Sequence, residues 1–203
     1  EKGELKGALE DYNKAISLDP KYITAYYNRG IAYAAGDKLD EAIKDYDQSI
    51  KLGNSASSVY YNRGNAKRRK KDNKGAIEDY NTSLKINPDY PLAYFNRGLT
   101  KSQMKNDEEA IQDIDIAIKL DSKNHLFYNG KGVSLIALNK YQEAVRNFDI
   151  CIQLSPDYGQ AYFNRGFAKH MGLNDTPGAC KDWQTAVSKG NKSAGNYLAQ
   201  YCR

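Results

Sequence analysis

The chain of 203 residues holds three cysteines, two histidines, two methionines and one tryptophan. Three cysteines are too few for a disulfide framework, and their spacing matches no zinc motif. No HExxH, phosphate loop or GxSxG occurs, so the sequence marks of metalloprotease, nucleotide and esterase chemistry are missing. His125 and His170 stand alone, with no recurrent acid beside either. These gaps point away from an enzyme, and no catalytic residue, metal ligand or cofactor is expected. No run approaches the roughly 18 apolar residues a spanning helix requires. Neither a signal peptide nor a lipidation motif is present, and Glu1 in place of Met reads as a trimmed chain. The surplus of five positive charges is mild, and nucleic-acid binding would need it gathered on one face.

Tyrosine is abundant instead, with 17 residues against five phenylalanines. In a chain that is 40% hydrophobic and 27% charged, this pattern fits amphipathic helices that bury the ring and wet the hydroxyl. The string Tyr26-Tyr27-Asn28-Arg29-Gly30 returns at Tyr60–Gly64, at Tyr94–Gly98 (with Phe95) and at Tyr162–Gly166 (with Phe163). A weaker copy lies at Tyr128-Asn129-Gly130-Lys131-Gly132, and the closing glycines step by 34 residues throughout. Ala8, Ala42, Ala76, Ala110 and Ala144 keep the same step, each followed four places on by Tyr12, Tyr46, Tyr80, Ile114 or Phe148. A fixed step of this length marks a stacked repeat architecture. Within a unit, Tyr26, Gly30 and Tyr33 fall on one helical face, as do Ala42, Tyr46, Ser49 and Ile50. Asp37 and its neighbours form the turn between them. The spacing predicts antiparallel helix pairs, with Gly30 and Ala42 where the two helices approach most closely.

On these residues the chain resembles the tetratricopeptide repeat (TPR) family. The family pattern matches Tyr26, Gly30, Tyr33, Ala42, Tyr46 and Ser49, and again Tyr94, Gly98, Ala110 and Ala117. The resemblance implies an all-α fold, a right-handed solenoid of antiparallel helix pairs. Five units are expected at 23–56, 57–90, 91–124, 125–158 and 159–193, after the second helix of a truncated repeat at 1–22. A terminal helix at 194–203 should cap the stack, turning Lys192, Asn196, Gln200 and Arg203 to water.

Peptide-binding members of the family read their ligand from the first helix of each pair. By that resemblance Asn28, Asn62, Asn96 and Asn164 would hydrogen-bond a ligand backbone, with Gly130 breaking the series. The helical period adds Tyr27, Tyr61, Phe95 and Phe163 to the same wall, then Ile31, Asn65, Leu99, Val133 and Phe167. Ala34, Arg68, Ser102, Ile136 and His170 follow one turn on. The family's lysine-rich carboxylate clamp does not carry over, because Tyr27 and Tyr61 occupy its lysine places. Arg29, Arg63, Arg97 and Arg165 should instead meet Asp45, Asp79, Asp113 and Asp182 as fork-type pairs. The fourth unit has Lys131 and Asn147, so both partners change together.

Lys67-Arg68-Arg69-Lys70-Lys71 is the one dense basic run, at a helix C-terminus where cations suit the dipole. Period also turns Arg68 and Arg69 toward the groove, where an acidic segment could meet them. The leading expectation is a non-enzymatic scaffold for protein–protein interaction, binding a peptide or partner helix in its groove. A structural spacer within a larger protein is the alternative. An RNA-binding repeat fits less well, since a base-reading code needs variation where Asn is nearly constant. Partner identity and oligomeric state are not legible.

Cys151 replaces the small residues Ala15, Ser49, Ser83 and Ala117 of other units and reads as buried packing. Cys180 and Cys202 flank the Gly190-Asn191 turn at similar distances along two helices, so a disulfide is geometrically allowed, with two unlinked thiols as the alternative. Cys180-Lys181-Asp182-Trp183 resembles the close of some exported bacterial repeat proteins. A bond would suit a periplasmic or exported chain, and free thiols a cytoplasmic one.

Overall fold

The computed structural model describes residues 2–202, with side chains from Leu5 onward. Glu1 and Arg203 lie outside the described residues, and with them the expected place of Arg203 on the terminal helix. Among the described residues there are twelve helices and no strand. After α1 (Lys2–Leu18) come the pairs α2 (Ile23–Ala35) and α3 (Leu39–Lys51), α4 (Ser57–Arg69) and α5 (Asn73–Ile86), and α6 (Pro91–Gln103) and α7 (Asp107–Leu120). Then follow α8 (His125–Ala137) with α9 (Tyr141–Leu154), α10 (Gly159–Leu173) with α11 (Thr176–Ser188), and α12 (Ser193–Tyr201). No helix is long and apolar enough to cross a membrane.

Each pair turns the same way. Asp37, Lys71, Lys105, Asn139 and Asn174 all adopt the left-handed conformation, with φ between 52° and 67°. In the first four turns the next amide reaches back to the carbonyl five residues earlier, as in Lys38 N to Tyr33 O at 2.8 Å and Lys140 N to Leu135 O at 2.9 Å. This is a Schellman-type end, which satisfies carbonyls the helix leaves orphaned. Two of the following helices start on a side-chain cap: Asp72 accepts from the Gly75 amide at 3.0 Å, and Asp175 from the Gly178 amide at 2.9 Å.

The close approach within a pair needs glycine. A Cβ on Gly30 would lie 2.7 Å from the Tyr46 ring, and one on Gly132 would lie 2.5 Å from Phe148. Those rings are 1% and 0% exposed, so they have nowhere to retreat. The degenerate fourth repeat therefore keeps its glycine although its Arg and Asn are gone.

The chain divides into two compact units, Glu1–Thr100 and Lys101–Arg203. Unit 1 is cored by Ala42, Tyr46, Val59 and Ala66. Unit 2 has one core of Leu135, Ala144, Val145, Phe148 and Ala168 and a second around Ala179, Trp183, Ala186 and Ala194. Tyr197 lies 5.1 Å from both Phe163 and Trp183, centroid to centroid, so α12 closes that second core with aromatic rings. Cys180 and Cys202 are joined, with their Cα atoms 5.7 Å apart, within the range a disulfide can span. Cys151 is free and fully buried, and burial pushes its thiol up to about 11.

Candidate functional site

Each residue of the repeated string has a separate task. The Arg29 guanidinium forks onto Asp45, donating from Nε at 2.7 Å and from a terminal nitrogen at 2.7 Å. Arg63 grips Asp79 at 2.9 and 2.5 Å, and Arg165 grips Asp182 at 3.0 and 2.5 Å. The remaining nitrogen of each Arg reaches sixteen residues back, to the previous pair's second helix: Arg29 to Asn13, Arg63 to Asp47, Arg97 to Asn81 and Arg165 to Asp149, all within 2.6–2.7 Å. One planar cation thus ties a helix pair together and also ties it to its predecessor, which a lysine cannot do. The preceding Tyr lies under the guanidinium in each case, 5.4–5.6 Å away at Tyr26, Tyr60, Tyr94 and Tyr162.

A second cation joins this cluster. Lys67 sits 2.9 Å from Asp79, Lys101 3.0 Å from Asp113 and Lys169 2.8 Å from Asp182. In the fourth repeat the equivalent places hold Lys131, Asn147 and Leu135, so Arg, Asp and the second Lys have changed as a set. Lys131 keeps only the backward link, to Asp115 at 2.6 Å. The backward partners 13, 47, 81, 115 and 149 keep the 34-residue step, a signal present in the sequence that the fork to Asp does not require.

The asparagines are also used between repeats. Asn62 donates to the Tyr27 hydroxyl at 2.9 Å, and Asn96 donates to the Tyr61 hydroxyl at 2.9 Å and to Asn65 Oδ1 at 3.0 Å. Asn164 donates to Asn129 Oδ1 at 2.9 Å and accepts from Gln160 at 2.9 Å, and it is buried. The expected ligand-gripping amides are therefore first a mortar between successive first helices. The groove tyrosines have a matching purpose, since their hydroxyls receive these donors. Among the described residues, neither the Asn28 side chain nor the Oδ1 of Asn62 is engaged in this ladder. Phe95, expected on the wall, is buried, while Tyr27 and Tyr61 are half-buried and Ile31 is 41% exposed.

The basic run is largely paired. Arg69 donates to the Ala34 carbonyl and to Asp37 Oδ1, both at 2.7 Å, and Lys70 pairs with Asp40. These bonds link α4 to the turn of the preceding pair. Arg68 differs: its Nε is buried with no partner, and its guanidinium lies against the Tyr80 phenol.

Between α2 and α4 lies a hollow of about 270 Å³, lined by Ile31, Ala34, Ala35, Tyr46, Asn62, Asn65, Ala66 and Arg69. It brings together five expected groove residues, Asn62, Asn65, Arg69, Ile31 and Ala34. At its base the Tyr46 ring is 1% exposed, and burial pushes the phenol well above its usual range. The spacing places Tyr46 in the core, and nothing in that spacing signals that it also borders a hollow. Among the described residues no group of His, Cys, Asp and Glu could hold a metal ion.

A family model described as TPR repeat matches residues 1–36 and 64–105, and one described as tetratricopeptide repeat matches residues 23–53. A second tetratricopeptide repeat model matches residues 92–124 and 126–158. Together these cover more than half of the chain, which belongs to the tetratricopeptide-repeat family and folds as an all-helical solenoid of that class. Among solved structures it is similar to YrrB, described as a TPR protein with an unusual peptide-binding site, at TM-score 0.73 and 19% identity over 95% of this chain and 99% of that one. It is similar to MamA (residues 41 to the end) from Desulfovibrio magneticus RS-1, at TM-score 0.75 and 14% identity over 82% and 94% of the two chains. The C-terminal part of a TPR repeat-containing protein from Cytophaga hutchinsonii gives TM-score 0.78 and 19% identity over 98% and 83%. At these identities the likeness is one of fold. No curated protein matches the sequence.

Proposed function

We propose that the chain is a non-enzymatic interaction scaffold that binds an extended protein segment along the first-helix face of unit 1. The observation that carries this reading is the hollow between α2 and α4. There an exposed apolar residue, Ile31, stands beside amides whose ladder bonds leave part of their capacity unused. Extended peptides are held by such mixed walls, with backbone amides matched to side-chain amides and pockets for alternate side chains. YrrB, described as peptide-binding, supports the reading by its fold. A random linear peptide library selected against the full chain tests it. Peptides should be recovered, and calorimetry should show Ile31→Asp weakening them about tenfold or more, since a charge would be desolvated in the contact, with unfolding unchanged. Recovery of no peptide, or equal affinity for the variant, would contradict it.

A spacer reading is favoured only for the end of unit 2, where Asn164 is buried with both its amide nitrogen and its oxygen engaged and rings close the core. The pairing of Lys67, Arg69 and Lys70 with acids draws support away from RNA. The Cys180–Cys202 bond supports an oxidising, exported compartment for the chain. Alkylation of the chain as taken from its cells should leave both sulfurs unlabelled until reductant is added. Labelling without reductant would return the chain to the cytoplasm.

A further inference from the structure

The last helix is fastened by other means than the pairs before it. α12 has nine residues and no charged one, so it takes no part in the Arg–Asp forks. Helices shorter than about 12–15 residues are marginal in water on their own, so α12 depends on what it packs against. One of its residues, Ala194, is fully buried, whereas α10 buries five. Its ties are the Tyr197 and Tyr201 rings, the Asn191 amide donating to Gln160 at 3.0 Å at its entrance, and the Cys180–Cys202 bond at its exit.

That bond is not sealed in the core. Both cysteines are half-buried, and both border a hollow of about 340 Å³ lined also by Thr176, Pro177, Gln184 and Tyr201. A space of this size admits a small thiol or the tip of a protein loop. Cys151, fully buried, borders no such opening. Beneath the same helix lies the chain's one tryptophan, Trp183, also fully buried. Tyr197 and Tyr201 cover it, with centroids 5.1 and 5.9 Å away, and His170 stands 4.4 Å from Tyr201 and 5.7 Å from Trp183. The crosslinked residue thus directly follows a ring that shields Trp183.

We propose that Cys180–Cys202 is a thiol–disulfide exchange site for a dithiol reductant, and that its reduction unlatches α12 from the α10–α11 pair. A thiolate of the dithiol attacks Cys202 Sγ, the Cys180–Cys202 bond breaks, and the Cys180 sulfur leaves as a thiolate that takes a proton from water. The second thiol of the reductant then attacks the mixed disulfide. The reductant departs with an internal disulfide, and Cys202 becomes a thiol. Two electrons and two protons pass in all from the dithiol to the chain. The direction follows from the helix dipoles. Cys202 lies at the C-terminal end of α12, which disfavours a thiolate, while Cys180 lies in the second turn of α11, so Cys180 is the better leaving group. Without the crosslink the chain between the two residues regains its freedom, and α12 keeps only packing and hydrogen bonds. Its opening uncovers Trp183, while the pairs held by charged forks keep theirs.

The test treats the full oxidised chain with dithiothreitol, follows Trp183 emission, and traps and maps the free thiols with iodoacetamide. Cys180 and Cys202 should be labelled and Cys151 should not. The reduction rate should be flat in urea well below the unfolding transition, because the sulfurs are reached in the folded chain. A rate that climbs from the first addition of urea would mean they are reached only through unfolding, and would overturn the exchange site. Trp183 emission should move to the red in step with labelling. Amides of α12 should exchange about a hundredfold faster after reduction, with α2 to α9 unchanged. Cys180→Ser with Cys202→Ser should show the reduced chain's emission from the start and no response to dithiothreitol. If the reduced chain keeps the Trp183 emission and α12 exchange of the oxidised one, the bond is a passive staple and the latch is overturned. Loss of protection throughout the chain would overturn it equally.

Discussion

In unit 1 the first helices are joined by hydrogen bonds: Asn62 to Tyr27, Asn96 to Tyr61 and Asn65, Tyr80 to Asn65. At the end of unit 2 the last helix is joined to the pair before it by rings, with Phe163, Phe167 and Trp183 around Tyr197, and a disulfide holds it in place. Both are built from the same kind of helix pair, so the difference lies in the side chains set into it. A ring packed on rings has no remaining valence. A hydrogen-bonded amide keeps a second donor or acceptor, and those of unit 1 border an open hollow. The polar joint is the weaker mortar and the better receptor.

The largest expected effect breaks the charged staple. Arg63→Leu leaves Asp79, whose side chain is 4% exposed, with Lys67 as its one remaining cation, and should cost about 3 kcal/mol because the buried charge loses its fork. Adding Asp79→Leu should recover part of that, whereas Lys131→Leu in unit 2, facing the half-exposed Asp115, should cost less than about 1 kcal/mol. Urea unfolding of the parent chain, these three variants and Asp79→Leu alone checks this, and strict additivity at 63 and 79 would mean the pair does not couple.

Next comes the disulfide. Cys180→Ser with Cys202→Ser removes a crosslink of sequence separation 22, and should cost about 3 kcal/mol locally. Amides of α12 should then exchange faster while those of α2 and α4 do not. A smaller effect separates mortar from ligand contact: Asn96→Ala, which deletes two ladder bonds, should cost about 1–2 kcal/mol. Asn28→Ala, outside that ladder, should leave the melting temperature nearly unchanged.

The smallest effect concerns Cys151. Its thiol is raised from 9.0 to about 11 in the fold because burial disfavours the thiolate. The sign follows from linkage: the contribution is fully present below pH 9 and is lost as pH rises from 9 toward 11, where the unfolded thiol ionises first. Iodoacetamide should therefore leave Cys151 unmodified in the native chain at neutral pH and label it on unfolding.

The fold could be read from the register because close packing constrains it at every step: Gly30 admits Tyr46, and Ala42 lets the helices meet. The Arg–Asp forks could be read as well, since the two partners change together in the fourth repeat. The role of the asparagines could not. A residue on a first helix faces both the groove and the next first helix, and periodicity gives the face without saying which neighbour takes the hydrogen bond. Tyr46 shows the same limit more sharply. Its ring obeys the core pattern, while the hollow beside it depends on what stands at 31 and 34 across the pair.

Hydrogen exchange of the full chain with and without a library-selected peptide tests the central claim most directly. The account expects slowed exchange in α2 and α4 around Ile31, Asn62 and Asn65, with α10 to α12 unchanged. Protection confined to α10, α11 and α12, with α2 and α4 exchanging as in the free chain, would contradict it.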